Sequence, residues 1–173
     1  TKAVFFVHVL AKLAIEYNSF EEDQRGGLLD DVLPHRTSLA YLVRSQNGGD
    51  EDYHRNADTV FLEELIRLYQ MDLFKKEDIQ RCDLLTETLG PSSGYFEERR
   101  FRFLVQLDPY SLMQGGSLFL PLHSAAVYCN VSMKRFRSVF DAGMQYFPYQ
   151  NGIAALFRKN RYQSSKTPFQ CAC

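Results

Sequence analysis

Hydrophobic positions along the chain recur at intervals of three and four far more often than two, and this pattern predicts helices. Val4, Val7, Leu10, Ala11 and Ala14 set a helix over residues 3–17, with Asn18 as its stop. Residues 19–31 are acidic and hold Gly26-Gly27, a loop composition. A short helix fits Ser38 to Arg44. The run SQNGGDEDYHRNAD over residues 45–58 is polar and glycine-containing, and reads as a flexible connection. Asp58 or Thr59 then caps a strong helix, whose wide apolar face holds Phe61, Leu65 and Leu68 beside Leu62, Ile66 and Tyr69. Ile79, Cys82, Leu85 and Leu89 predict one helix over residues 77–89, ended by Gly-Pro-Ser-Ser-Gly at 90–94. Phe101, Leu104, Val105 and Leu107 predict a helix over 97–107, closed by Pro109, which disfavours helical geometry at Asp108. Pro121 opens a helix that runs to Cys129. Asn130 or Ser132 caps the next, with a stripe of Met133, Phe136, Val139 and Phe140, and Gly143 sits where a left-handed C-terminal cap is wanted. A long loop over residues 144–166 follows, and Thr167-Pro168 opens a last helix. No sustained alternation occurs, so no strand is predicted.

Two of these helices carry the same text. Arg100, Phe101 and Arg102 fall on Arg135, Phe136 and Arg137 at an offset of 35 residues, with Leu104 on Val139. A weaker echo lies 36 residues earlier, where Gln70-Met71-Asp72 matches Gln106-Leu107-Asp108. A period near 35 means stacked supersecondary units.

At this period the sequence resembles the ankyrin family. Leu120-Pro-Leu-His-Ser-Ala-Ala126 is similar to that family's first-helix signature, Thr-Pro-Leu-His-x-Ala. Thr167-Pro-Phe-Gln-Cys-Ala172 looks like a second copy, 47 residues on, with the extra length taken up in the loop at 144–166. The runs FEERRFRFLVQLDP, RFRSVFDAG and LFRKN also look like a set of ankyrin-like proteins of diatoms. The resemblance implies an all-α fold: an ankyrin-like solenoid of stacked antiparallel helix pairs with irregular, lengthened loops. It divides the chain into divergent N-terminal helical units with an acidic loop over 1–58, and ankyrin-like repeats over 59–173 with the C-terminal repeat truncated.

The signature has physical reasons. Pro121 and Pro168 pre-set a helix start. Leu122 continues the apolar side, and Ala125 and Ala126 let neighbouring helices approach closely. In the family, the Thr hydroxyl and His ring tie the tight turn. The first copy here keeps His123 but has Leu120 for Thr, and the second keeps Thr167 but has Gln170 for His. Each copy is therefore expected to lose part of the turn network, at about 0.5–2 kcal/mol for a missing cap bond.

Composition adds a charge asymmetry. Residues 1–96 hold 10 basic and 17 acidic side chains, a net −7, whereas residues 97–173 hold 10 and 4, a net +6. Opposite ends can steer a partner, but the chain lacks the global positive charge of a nucleic-acid binder. The longest apolar stretch, Ala3 to Ile15, contains His8 and Lys12 and is too short to span a bilayer, so no membrane association is expected. Cys82, Cys129, Cys171 and Cys173 lack zinc or disulfide spacing and read as small thiols of a reducing, intracellular and cytoplasmic setting. His8, His35, His54 and His123 match no metal-ligand spacing, and nucleophile-elbow, phosphate-loop and dinucleotide fingerprints are absent. No cofactor, metal or catalytic residue is therefore assigned.

The expectation is a non-catalytic protein-interaction scaffold whose partner is another protein, an acidic one included. Loop tips and inner helices of such a stack form a concave binding surface. Candidate contacts are Tyr110, Gln114 and Tyr128, with Tyr149, Arg158, Lys159 and Arg161 from the long loop. Arg100 with Arg102, and Arg135 with Arg137, are expected to form a ladder on one outer face. The alternatives are an all-α enzyme or small-ligand-binding protein without a linear motif, or the targeting segment of a larger enzyme.

Overall fold

The computed structural model of the chain describes residues 3–33, 36–44, 49–90, 95–114, 120–127, 133–148, 154, 157–159 and 166–172. The fold is mostly helical. A 3-10 turn, Val4–Phe6, leads into α1, Val7–Glu16, which Asn18 ends in a left-handed conformation (φ 50°). The loop beyond returns to α1 at Gly26, where φ is +67° and an added Cβ would overlap the backbone carbonyl of Ala11. Only glycine suits that approach.

Two short strands, β1 (Asp31–Leu33) and β2 (Arg36–Thr37), then pair antiparallel, which corrects the expectation of no strand. At three and two residues they are too short for alternation to register. Thr37 caps α2 (Ser38–Val43), its Oγ1 accepting from Ala40 N–H at 3.2 Å.

α3 is the long element, Glu51–Gln70. Its N-cap is Asp50, which accepts from the Tyr53 N–H at 2.8 Å, and Glu51 and Asp52 favour the positive end of the helix dipole. Residues 51–58 are therefore helix rather than flexible connection, and the expected division at 58/59 falls inside α3. Sequence reasoning missed this because the stripe that continues the apolar face toward the N-terminus is polar. His54 and Asp58 are buried along with Ala57, Phe61, Leu65 and Leu68. Their partners come from later in the chain: Tyr95 stacks on His54 at 4.9 Å, and Arg100 pairs with Asp58 at 2.8 Å.

The single helix expected over 77–89 is two, α4 (Lys76–Arg81) and α5 (Leu84–Thr88). Asp83 divides them with φ 50° and accepts from the Thr86 hydroxyl at 2.9 Å. Aspartate tolerates this left-handed conformation better than most residues. α6 (Glu98–Leu107) matches its prediction and ends before a 3-10 turn, Pro109–Leu112. α7 spans Pro121–Val127, α8 Met133–Tyr146 and α9 Pro168–Ala172. Gly143 lies inside α8 rather than capping it: Phe147 N–H bonds the Gly143 carbonyl at 2.9 Å, so the helix continues past it. Among the described residues no helix is long and apolar enough to cross a membrane.

The helices pack in two rows. α2 meets α5, α5 meets α7, and α7 meets α9. α1 meets α3, α3 meets α6, and α6 meets α8. Across the rows α2 lies on α3, α5 on α6, and α7 on α8. Leu39, Val43, Leu65, Leu68, Leu84, Leu85, Phe101, Leu104 and Ala125 form one continuous core between the rows.

Candidate partner-binding site

Two buried arginines, 35 residues apart, each donate to two backbone carbonyls of an earlier segment. Arg100 on α6 is 1% exposed and donates from Nη1 to the carbonyls of Leu42 (2.8 Å) and Arg44 (3.3 Å), at the end of α2. Arg135 on α8 is 0% exposed and donates to the carbonyls of Gly90 (3.0 Å), just past the end of α5, and of Tyr95 (2.7 Å), shortly before α6. Each guanidinium thus reaches the helix of the preceding pair. Arg100 also pairs with Asp58 and Glu97 and lies 5.1 Å from the Phe61 ring centre. The expected arginine ladder is corrected accordingly: Arg100 and Arg135 face inward, and only Arg102 and Arg137 remain on the outer face, with side chains 69% and 82% exposed. The planar fork that satisfies two carbonyls at once explains why arginine recurs at the buried place.

The signature residues Pro121, Leu122, His123, Ala125 and Ala126 are all buried in α7. Ala125 and Ala126 are fully covered where α7 meets α5, α8 and α9. His123 Nε2 lies 3.1 Å from the Lys166 carbonyl, immediately before α9, so it ties one pair to the next rather than only its own turn. The Thr167 segment keeps a turn network after all. Gln170 N–H donates to Thr167 Oγ1 at 3.2 Å, and Thr167 N–H donates to Gln170 Oε1 at 3.0 Å, a reciprocal cap in which glutamine replaces histidine. Pro168 follows as the first residue of α9.

Burial holds the His123 pKa below the ordinary histidine value, opposed by the backbone groups of Lys166 and Arg158 and aided by the Arg158 charge. The neutral ring then donates its Nε2–H to Lys166. Acidification protonates the unfolded chain before the folded one, so His123 contributes stability above the unfolded pKa that is lost as pH falls toward the folded value. The expected outcome is a thermal midpoint that declines more steeply from roughly pH 7.5 to pH 5.5 in the native chain than in His123→Gln. Parallel declines in the two would rule out this role for the ring.

The segments that join one pair to the next gather along one edge. Among the described residues they are 71–83, 108–114 with 120, and 147–148 with 157–159 and 166–167. Gln80 donates to the Asp108 carboxylate at 2.6 Å, linking the first two. Arg158 donates to the Met113 carbonyl at 2.9 Å, and the Tyr110 and Phe147 rings meet at 5.6 Å, linking the second and third. Between the first two segments lies a depression of about 330 Å³ lined by Lys76, Glu77, Gln80, Asp108, Tyr110 and Gln114. Of the expected contact residues, Tyr110, Gln114, Arg158 and Lys159 are exposed on or beside this edge. Tyr128, Tyr149 and Arg161 lie outside the described residues. Lys76, Glu77, Gln80 and Asp108 escaped sequence reasoning, since they form no motif and meet only through the fold.

A second groove, about 520 Å³, runs on the outer face between α6 and α8, lined by Glu98, Arg102, Lys134, Arg137 and Asp141 among others. Its charges satisfy one another. Glu98 bonds Lys134 at 2.9 Å as well as Arg102, which holds its carboxyl below the usual range despite partial burial, and Arg137 pairs with Asp141 at 3.5 Å. Among the described residues no group of three or more His, Cys, Asp or Glu side chains converges on a metal-sized space. Comparison with protein-family models, with curated proteins and with solved structures returned no match for this chain.

Proposed function

We propose that the chain is an ankyrin-like helical solenoid whose joined loop edge binds another protein, without catalysing a reaction. The observation that carries this reading is the likeness of Arg100 and Arg135: two buried forks, 35 residues apart, each donating to two backbone carbonyls of the preceding pair. The two-row packing supports it, because in stacked repeats each unit touches only its neighbours and leaves its connecting loops side by side. Tyr110 offers a large amphipathic ring at little entropic cost, of the kind that anchors interfaces. Arg158 and Lys159 extend the edge into the net-positive half of the sequence, which favours an acidic partner surface.

The test is affinity capture on the immobilised chain, followed by titration of the captured protein at low and high salt. The triple variant Tyr110→Ala, Arg158→Ala, Lys159→Ala is expected to weaken binding by about tenfold or more, with a shallower salt dependence. Unchanged affinity and salt slope would reject the edge as the contact surface. A metabolite that raises the thermal midpoint, with no protein captured, would favour a small-ligand protein instead.

A further inference from the structure

We propose that the depression between the first two segments of the loop edge takes the side chain of an arginine carried by the protein partner. The inference deepens the reading of the edge as a protein-binding surface and rests on it. The two walls come from different parts of the chain. α4 supplies Lys76, Glu77 and Gln80, and the turn that follows α6 supplies Asp108, Tyr110 and Gln114. Both walls are anchored from beneath. In α4, Asp78 and Ile79 are buried, and the Asp78 carboxylate accepts from the Lys75 N–H at 2.7 Å and from Arg25 at 2.5 Å. Lys76, Glu77 and Gln80 are left exposed. In the turn, Ser111 and Leu112 are buried, and the Ser111 hydroxyl donates to the Asp108 carbonyl at 2.6 Å. Walls already held in place lose little freedom when a ligand enters.

The lining selects a cation with several donors. Asp108 accepts from the Gln80 amide at 2.6 Å, which supplies a hydrogen bond but no charge. Among the described residues no Lys, Arg or His lies within ion-pair distance of Asp108. Lys76 lies 4.0 Å from Glu77 and offsets that carboxylate instead. One negative charge is therefore left without a counter-charge in the depression. Gln80 spends its Nε2 on Asp108 and keeps its amide oxygen as an acceptor. Gln114 is exposed beside it, and Tyr110, 65% exposed, adds an aromatic ring. A guanidinium is planar, carries five N–H donors and no acceptor, and stacks on aromatic faces, so carboxylate, amide oxygen and ring can engage it together. An ammonium would forgo the fork and the stacking, and a carboxylate would be repelled by Asp108 and Glu77. At about 330 Å³ the space is at the small end for a ligand site. It suits the end of one side chain presented by a larger surface. Acidic residues flanking that arginine would meet Arg158 and Lys159, so this anchor agrees with the positive charge farther along the edge.

The test titrates the isotope-labelled full chain with Nα-acetyl-arginine amide and reads backbone amide shifts. Two further probes are the citrulline amide, which has nearly the same shape without the charge, and the glutamate amide. Saturable shifts are expected at Gln80, Tyr110 and Gln114 with the arginine probe, and binding of the citrulline probe should be at least about tenfold weaker. Asp108→Asn keeps an acceptor for Gln80 but removes the charge, and should weaken the arginine probe by about tenfold or more with an unaltered thermal midpoint. Lys76→Met removes a like charge and should strengthen it by about twofold. Should Asp108→Asn disturb the turn, Tyr110→Leu replaces an exposed ring and should weaken the probe by about threefold. No saturable shift at these residues, equal binding of the citrulline probe, or variants that bind the arginine probe like the native chain would each overturn the proposal. Shifts there from the glutamate probe alone would overturn it in favour of a carboxylate. A captured protein that the triple edge variant loses and Asp108→Asn retains in full would overturn the arginine anchor and leave the edge reading standing. A captured protein that the triple variant retains, beside an arginine probe that behaves as expected, would keep the arginine site and remove the edge as that protein's contact.

Discussion

Replacing Arg100 with methionine is expected to lower folding stability by about 3–5 kcal/mol, the loss typical when one partner of a buried ion pair is removed. Methionine fills much of the same volume, so the loss isolates charge and hydrogen bonding from cavity formation. Asp58 and Glu97, both buried, lose the guanidinium 2.8 and 3.4 Å away, and the Leu42 carbonyl loses its donor. For a chain of this length the thermal midpoint should fall by roughly 6–20 °C. Arg100→Lys should recover only part of the loss, because a point charge cannot serve a carboxylate and two carbonyls together. In Asp58→Asn with Arg100→Met the two losses should add to less than their sum, since the second change removes a charge the first left stranded. A midpoint within a degree or two of the native value for Arg100→Met would show that the buried fork contributes little, and with it would go the main support for a repeated clamp.

The second large effect belongs to Arg135. Arg135→Met strips the Gly90 and Tyr95 carbonyls of a charged donor at 3.0 and 2.7 Å, in surroundings where Arg135 itself is 0% exposed. Each carbonyl that loses its donor costs about 1–3 kcal/mol, so the variant should lose about 2–6 kcal/mol in urea titration. Its neighbour two residues on provides the control. Arg137 is 82% exposed and pairs with Asp141 across solvent at 3.5 Å, so Arg137→Ala should change stability by no more than about 0.5 kcal/mol. The same contrast should appear between Arg100 and Arg102. If the inner and outer arginines of either pair proved equally costly, the twofold pattern of Arg-Phe-Arg would reflect helix composition rather than position in a stack.

These outcomes bear on how the proposed recognition edge is built. Among the described residues the segments of the loop edge are joined by a hydrogen bond from Gln80 to Asp108, one from Arg158 to Met113, and the Tyr110–Phe147 ring contact. Its shape therefore depends on the helix pairs beneath it keeping their spacing. The arginine forks set that spacing from within the core, which links a stability variant far from the edge to the geometry of the edge itself. Arg135→Met should accordingly weaken a captured partner even at temperatures where the chain remains folded.

The residues by themselves determined the helical class, the positions of α1, α2 and α6, and the buried faces led by Leu65, Leu68, Phe101 and Leu104, because apolar side chains at helical spacing have one low-energy solution. They also determined where α7 and α9 begin, since Pro121 and Pro168 act locally. Tertiary structure alone decided the rest. α3 starts at Glu51 because Tyr95 and Arg100, more than forty residues later than His54 and Asp58, make burial of those polar side chains tolerable. Asp83 interrupts the helix expected at 77–89, and Gly143 fails to end α8, because packing against neighbouring helices outweighs a single residue's preference. Arg100 and Arg102 are the same amino acid two positions apart, yet one is buried and the other solvated. Their difference lies in which carbonyls and carboxylates the distant chain brings to the helix, and no local pattern contains that information.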